Sequence, residues 1–119
     1  MKYMIMMFGD AGTAIASHSP EWMRDMIAFM HGLNDELTTS GELVQAVGLT
    51  DGSMAKLVRR DGDDAIVTDG PYAESKESVI GFWILDVADE ARALAIASRI
   101  VAWSEVVEVR RVADAPPEV

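Results

Sequence analysis

Val79-Ile80-Gly81-Phe82-Trp83-Ile84-Leu85 reads as a β-strand, and its reading decides the fold. Aromatic and β-branched residues occupy both alternating positions, so both faces are apolar and both require cover. Just before it stands Thr68-Asp69-Gly70-Pro71-Tyr72-Ala73-Glu74-Ser75-Lys76-Glu77, a turn-rich, charged run that burial does not demand. Upstream, Ala55–Arg60 and Ala65–Thr68 form the arms of a hairpin joined through Asp61-Gly62-Asp63-Asp64. Asp51-Gly52 turns the chain, and Leu43, Val47 and Leu49 mark one face of a further strand. Downstream, Asp89 caps a helix expected to carry Ala91, Leu94, Ala95 and Val101 inward, with Trp103 anchoring its end. Val106–Val112 closes as a strand of alternating Val and charge.

The amino-terminal half repeats this order. Tyr3–Phe8 is apolar throughout and suits a central strand. Ser19-Pro20-Glu21 is a helix entry: Ser as N-cap, Pro at the first position, an acid in the first turn. Met23, Met26, Ile27, Met30, Leu33 and Leu37 recur at helical spacing until Gly41 stops the helix. Strand, helix, strands, helix, strand is the α+β, ferredoxin-like arrangement: an antiparallel sheet with both helices on one face, plus an extra hairpin. Residues 1–112 form one domain and 113–119 a frayed tail. The helices cover one face only, yet strand 79–85 is apolar on two. A homodimer with two sheets packed face to face, with Trp83 at the interface or in a pocket, satisfies both.

Composition narrows the partners. Twenty acids against ten bases leave a net charge of −10, the wrong sign for nucleic acid, whose phosphates need clustered Lys and Arg. No cysteine is present, which excludes disulfides, thiolate metal sites and cysteine nucleophiles. No metal site and no organic cofactor are expected: the two histidines lack ligand spacing, and no phosphate loop or dinucleotide fingerprint occurs. No apolar run approaches the ~20 residues of a membrane span, and a cytoplasmic location is expected.

Asp69-Gly70-Pro71-Tyr72-Ala73-Glu74-Ser75-Lys76-Glu77 followed by Gly81-Phe82 resembles the signature of the YCII-related proteins, also called the DGPF domain. Tyr72 replaces the usual Phe and Ser75 the usual Thr. Met1-Lys2-Tyr3-Met4, Ser19-Pro20-Glu21, Gly41-Glu42-Leu43 and Val107-Glu108-Val109-Arg110 extend the resemblance along the chain. It implies a dimeric α/β barrel of ferredoxin-like protomers. Family members are mostly of unknown function, and some are encoded beside or fused to extracytoplasmic-function sigma factors. The wider superfamily includes a dehydrochlorinase of a chlorinated hydroxyhydroquinone, with a His–Asp pair proposed as its site.

The candidate chemistry has a plain reading beside each functional one. A turn explains Asp69, Gly70 and Pro71. It does not explain Tyr72, Glu74, Lys76 and Glu77, which suit a loop where Tyr72 walls a pocket and the ionisable groups bind or move protons. Lys76 between two acids is equally a solvated ion-pair cluster worth under ~1 kcal/mol. His31 and Asp35 lie four apart on the first helix, the spacing of a carboxylate-oriented base, or of a surface ion pair. His18, before that helix, either completes a site at the strand ends or is simply exposed. Phe82 is placed near the pocket. Met4, Met6, Met7, Met23, Met26 and Met30 either line an adaptable pocket or fill the core.

Two functions follow, and whether the chain is an enzyme stays open between them. One is a small-molecule site at the dimeric sheet with cofactor-free proton transfer of lyase or dehydrochlorinase type. There Asp69, Glu74, His31 or Asp35 would act, and Tyr72, Lys76, Glu77, Phe82 and His18 would line the pocket. The other is a non-catalytic regulatory module that binds a ligand or a protein, with a sigma factor as the partner.

Overall fold

The computed structural model describes residues 1–9, 18–70 and 78–117. Among these residues six strands and two α-helices follow in order: β1 (Lys2–Gly9), α1 (Pro20–Thr39), β2 (Leu43–Gly48), β3 (Lys56–Asp61), β4 (Asp64–Asp69), β5 (Ser78–Asp86), α2 (Glu90–Ile100) and β6 (Val107–Arg111). The main sheet is antiparallel in the order β2-β5-β1-β6, and β3 and β4 make a separate two-stranded sheet. This is the ferredoxin-like α+β layout with a hairpin inserted between its second and third strands.

Local chemistry sets the element ends. Ser19 caps α1 by accepting from the Trp22 amide at 3.0 Å, with Pro20 at the first helical position. At the other end Gly41 takes φ +79°. Its amide donates to Thr38 O at 3.1 Å and the Glu42 amide to Leu37 O at 2.9 Å, the two bonds of a Schellman closure. Asp89 caps α2 through the Arg92 amide at 2.9 Å.

Both helices cover one face of the sheet. Cross-strand partners share a face, so Tyr3, Ile5 and Met7 of β1 align with Leu85, Trp83 and Gly81 of β5. Their side chains meet Leu33 and Leu37 of α1 and Ala93, Ile96, Ala97 and Ile100 of α2 in one buried core. Trp83 therefore lies beneath the helices and not at an interface or pocket, with its Nε1 donating to Asn34 Oδ1 at 2.8 Å. The inward stripe of α2 also differs from the expectation. Ala91, Leu94, Ala95 and Val101 are exposed, and the core takes the neighbouring stripe 93/96/97/100. Ile27 of α1 likewise faces solvent.

Two bidentate ion pairs fasten α2 to the α1 side. Arg92 Nε and one of its terminal nitrogens donate to Glu42 at 2.9 and 2.8 Å, and Arg99 donates to Glu36 at 3.1 and 2.8 Å. The Arg92 guanidinium holds the Glu42 carboxyl below the usual glutamate range, with a further bond from Ser40 and against the opposing effect of burial. A carboxyl whose pKa is lower folded than unfolded stabilises the fold above its unfolded value and loses that contribution as pH falls through both. Glu42→Gln is therefore expected to lower the thermal midpoint at about pH 6, with the gap to wild type closing toward about pH 3. Thermal unfolding of both proteins across that window checks it; a gap independent of pH would refute the linkage.

Candidate functional site at the open sheet face and its upper end

No helix among the described residues covers the second face of the sheet. Met4, Met6 and Phe8 of β1 alternate out of the core. Met4 pairs with Ile84, Met6 with Phe82, Phe8 with Val79, and Phe82 also with Val47 of β2. The large apolar side chains Met4, Met6, Phe8, Val47, Phe82 and Ile84 of this patch are half-buried, as is Val79. Glu108 and Arg110 of β6, opposite Met6 and Met4, add a charged margin and pair with each other at 3.2 Å. The methionines thus divide: Met7 fills the core, while Met4 and Met6 line the open face.

Directions in the sheet collect several candidates at one end. There β1 and β2 finish, and β5, β6 and α1 begin; we term this the upper end. Gly9 and Ser78 face each other across β1 and β5. The register shifts between Met7 and Phe8, so that Gly81 and Val79 become consecutive partners and Ile80 is the extra residue. Leu49 joins the same end through its amide, which donates to Ile80 O at 2.9 Å. The hairpin base lies here too. Asp69 is the last residue of β4 and accepts from Lys56 Nζ across the hairpin, and the Gly70 amide donates to Ala55 O at 2.9 Å.

His18 also stands at the upper end, on the helix side. Its ring stacks on Trp22 with centroids 3.7 Å apart. Trp22 meets Trp103 edge-on at 5.4 Å, and Phe29 meets Trp103 at 5.7 Å, so an aromatic wall joins the start of α1 to the end of α2. Trp103 anchors that end as the sequence suggested.

His31 and Asp35 are placed elsewhere. Both are exposed, on the side of α1 away from Leu33 and Leu37, and no ion pair joins them. His31 is eleven residues beyond Pro20, about 16 Å along the helix at its usual rise. His18, Asp69 and the start of β5 thus belong to the same end of the sheet, His18 on its helix side, while Phe82 lies on the open face and His31 and Asp35 lie apart. Tyr72, Glu74, Lys76 and Glu77 lie outside the described residues; the chain that bears them joins Gly70 to Ser78. Among the described residues, no group of three or more His, Cys, Asp or Glu side chains is placed to hold a metal ion. Among the same residues no helix is long and apolar enough to cross a membrane.

Sequence reading did not single out the rim residues Gln45, Glu108 and Arg110. For the last two a signal existed: Val107-Glu108-Val109-Arg110 alternates, which puts both charges on the face opposite the valines.

Comparison with known proteins agrees with this architecture. The family model of the YCII-related domain matches residues 1–115. An uncharacterised protein of Rhizobium meliloti (strain 1021) is similar, at 31% identity over 96 residues that cover 76% of this chain and 74% of the relative. A ferredoxin-like chain with the Asp69-Gly70-Pro71 and Gly81-Phe82 signature, matched by the family model from residue 1 to 115, belongs to the YCII-related domain family.

Proposed function

We propose that two copies of this chain stack their open sheet faces and that the pair binds a small hydroxylated aromatic or hydroxy acid at the upper end. The observation that carries this reading is the apolar patch of Met4, Met6, Phe8, Val47, Phe82 and Ile84, which no helix among the described residues covers. Six apolar side chains on one flat face are the material of an interface core or of the floor of a ligand site. Polar groups for orientation are at hand: His18 and Asp69 stand at this end of the strands, and Tyr72, Glu74, Lys76 and Glu77 follow Asp69 in the sequence before Ser78. Proton transfer by one of those carboxylates, without an organic cofactor, is the chemistry that such a set supports.

A thermal-shift screen of small phenols, hydroxy acids and lactones tests it on wild type, Asp69→Asn and His31→Ala. A ligand at a hundred times its dissociation constant stabilises by about 2.7 kcal/mol, several degrees in a domain of this size. The expected result is a shift in wild type that is lost in Asp69→Asn and kept in His31→Ala. Loss in His31→Ala alone would move the site to α1. A silent screen on a stable dimer would overturn the ligand site and leave the regulatory, sigma-factor-binding module.

A further inference from the structure

We infer that the β3–β4 hairpin is a dimerisation arm that lies against a second copy of this chain. The inference rests on the face-to-face pair proposed above and adds a second contact to it. An isolated two-stranded hairpin is marginally stable in water, and sheets gain independent stability from a third strand or a packed helix. Among the described residues this one has neither: every residue of β4 is exposed, as are five of the six residues of β3. Its cross-strand pair Val58–Val67 is nonetheless apolar and open, with exposures of 69% and 64%. Ile66, on the other face, is 45% exposed. A solvated arm has no need of such side chains, since polar residues make the same ladder.

The dimensions say where the arm is. The protein spans 48 × 46 × 19 Å, and the short axis is that of one helix layer on one sheet. The hairpin therefore extends within the plane of the slab, beyond its own sheet, and does not fold over the open face. Stacking two such slabs by their open faces leaves each arm free to overlap the other protomer.

The surface area fits an obligate pair. The radius of gyration is 16.6 Å where about 13.5 Å is usual for this length. The accessible surface is 8306 Å² where a compact monomer of this mass has about 6,300 Å². Were the excess of about 2,000 Å² on each of two copies covered by the other, the pair would bury an area inside the roughly 2,000–5,000 Å² of obligate dimers. A second copy is therefore the occupant whose size matches.

The test is the self-association of wild type and two arm variants, read by sedimentation or, for a very tight pair, by subunit exchange between differently labelled protein. Val58→Lys with Val67→Glu keeps a favourable cross-strand pair but removes the apolar contact. The second variant replaces residues 57–68 by Asn-Gly, closing a two-residue turn on the Lys56–Asp69 pair. Each is expected to keep the wild-type far-ultraviolet spectrum per folded core and to raise the dissociation constant, or the exchange rate, at least tenfold. Wild-type association unchanged in both variants would overturn the arm and leave the sheet-to-sheet pair standing. A wild-type monomer at tens of micromolar would overturn the pair and the arm together.

Discussion

Gly81→Val is expected to lower the thermal midpoint by about 10 °C or more, corresponding to about 3 kcal/mol of lost stability. A Cβ built on Gly81 would stand 3.0 Å from the carbonyl oxygen of Val47. That oxygen belongs to the backbone of β2, which the ladder to β5 holds in place, so it cannot swing aside as a flexible side chain would. Valine adds two methyl groups to the same space, and the strand pair must part or bend. Because β5 is the strand that joins β2 to β1, the damage spreads to the whole sheet. Circular dichroism through a thermal ramp measures it. A midpoint within ~2 °C of wild type would show that the two strands can separate at little cost.

Phe82→Asp, one residue along, is expected to do the opposite: keep the fold and abolish association. Phe82 points to the open face, pairs with Met6 and Val47, and contributes nothing to the helix-covered core. An aspartate there meets water in the free protomer but loses it, unpaired, in a face-to-face pair. Each interface would contain two such groups. A penalty of about 3 kcal/mol raises the dissociation constant roughly 100-fold, enough to turn a sub-micromolar dimer into a micromolar-range monomer. Sedimentation equilibrium decides it, with the thermal midpoint as the control for folding. Retention of a tight dimer in this variant would place the interface away from the open face.

The contrast between these neighbours also explains what the sequence made legible. Features set by local chemistry could be read directly: the Ser19–Pro20 entry, the Gly41 stop, the hairpin of β3 and β4, the Asp89 cap. Each involves groups a few residues apart. Which face of an element turns inward is another matter when both faces are apolar. On β5 alternation has no sign, since Phe82 and Ile84 on one side look like Trp83 and Leu85 on the other. The register with β1 and the bond from Trp83 to Asn34 decide it, and both depend on residues far away in the chain. The same ambiguity affects α2, where Ala91, Leu94 and Ala95 form as good a stripe as Ala93, Ile96 and Ala97. The latter wins with the side chains of Ile96 and Ile100, which fill the core completely, while Arg92 and Arg99 reach Glu42 and Glu36.

For the site, sequence spacing found the pair His31–Asp35 but could not tell that this side of α1 faces solvent. It also named Asp69 and His18. Their arrival at one end of the sheet depends on strand direction, which no short motif encodes.

The position of β1 has a consequence for synthesis of the chain. Tyr3 is the partner of both Leu85 and Arg111, so the first strand made is completed by the last. A nascent chain emerging from the ribosome holds Tyr3, Ile5 and Met7 without their neighbours until nearly the whole domain has been translated. During that interval α1, the hairpin and, later, α2 can form from contacts within themselves. The domain is therefore expected to be most vulnerable to chaperone capture and proteolysis until β6 has emerged, and to complete its sheet late.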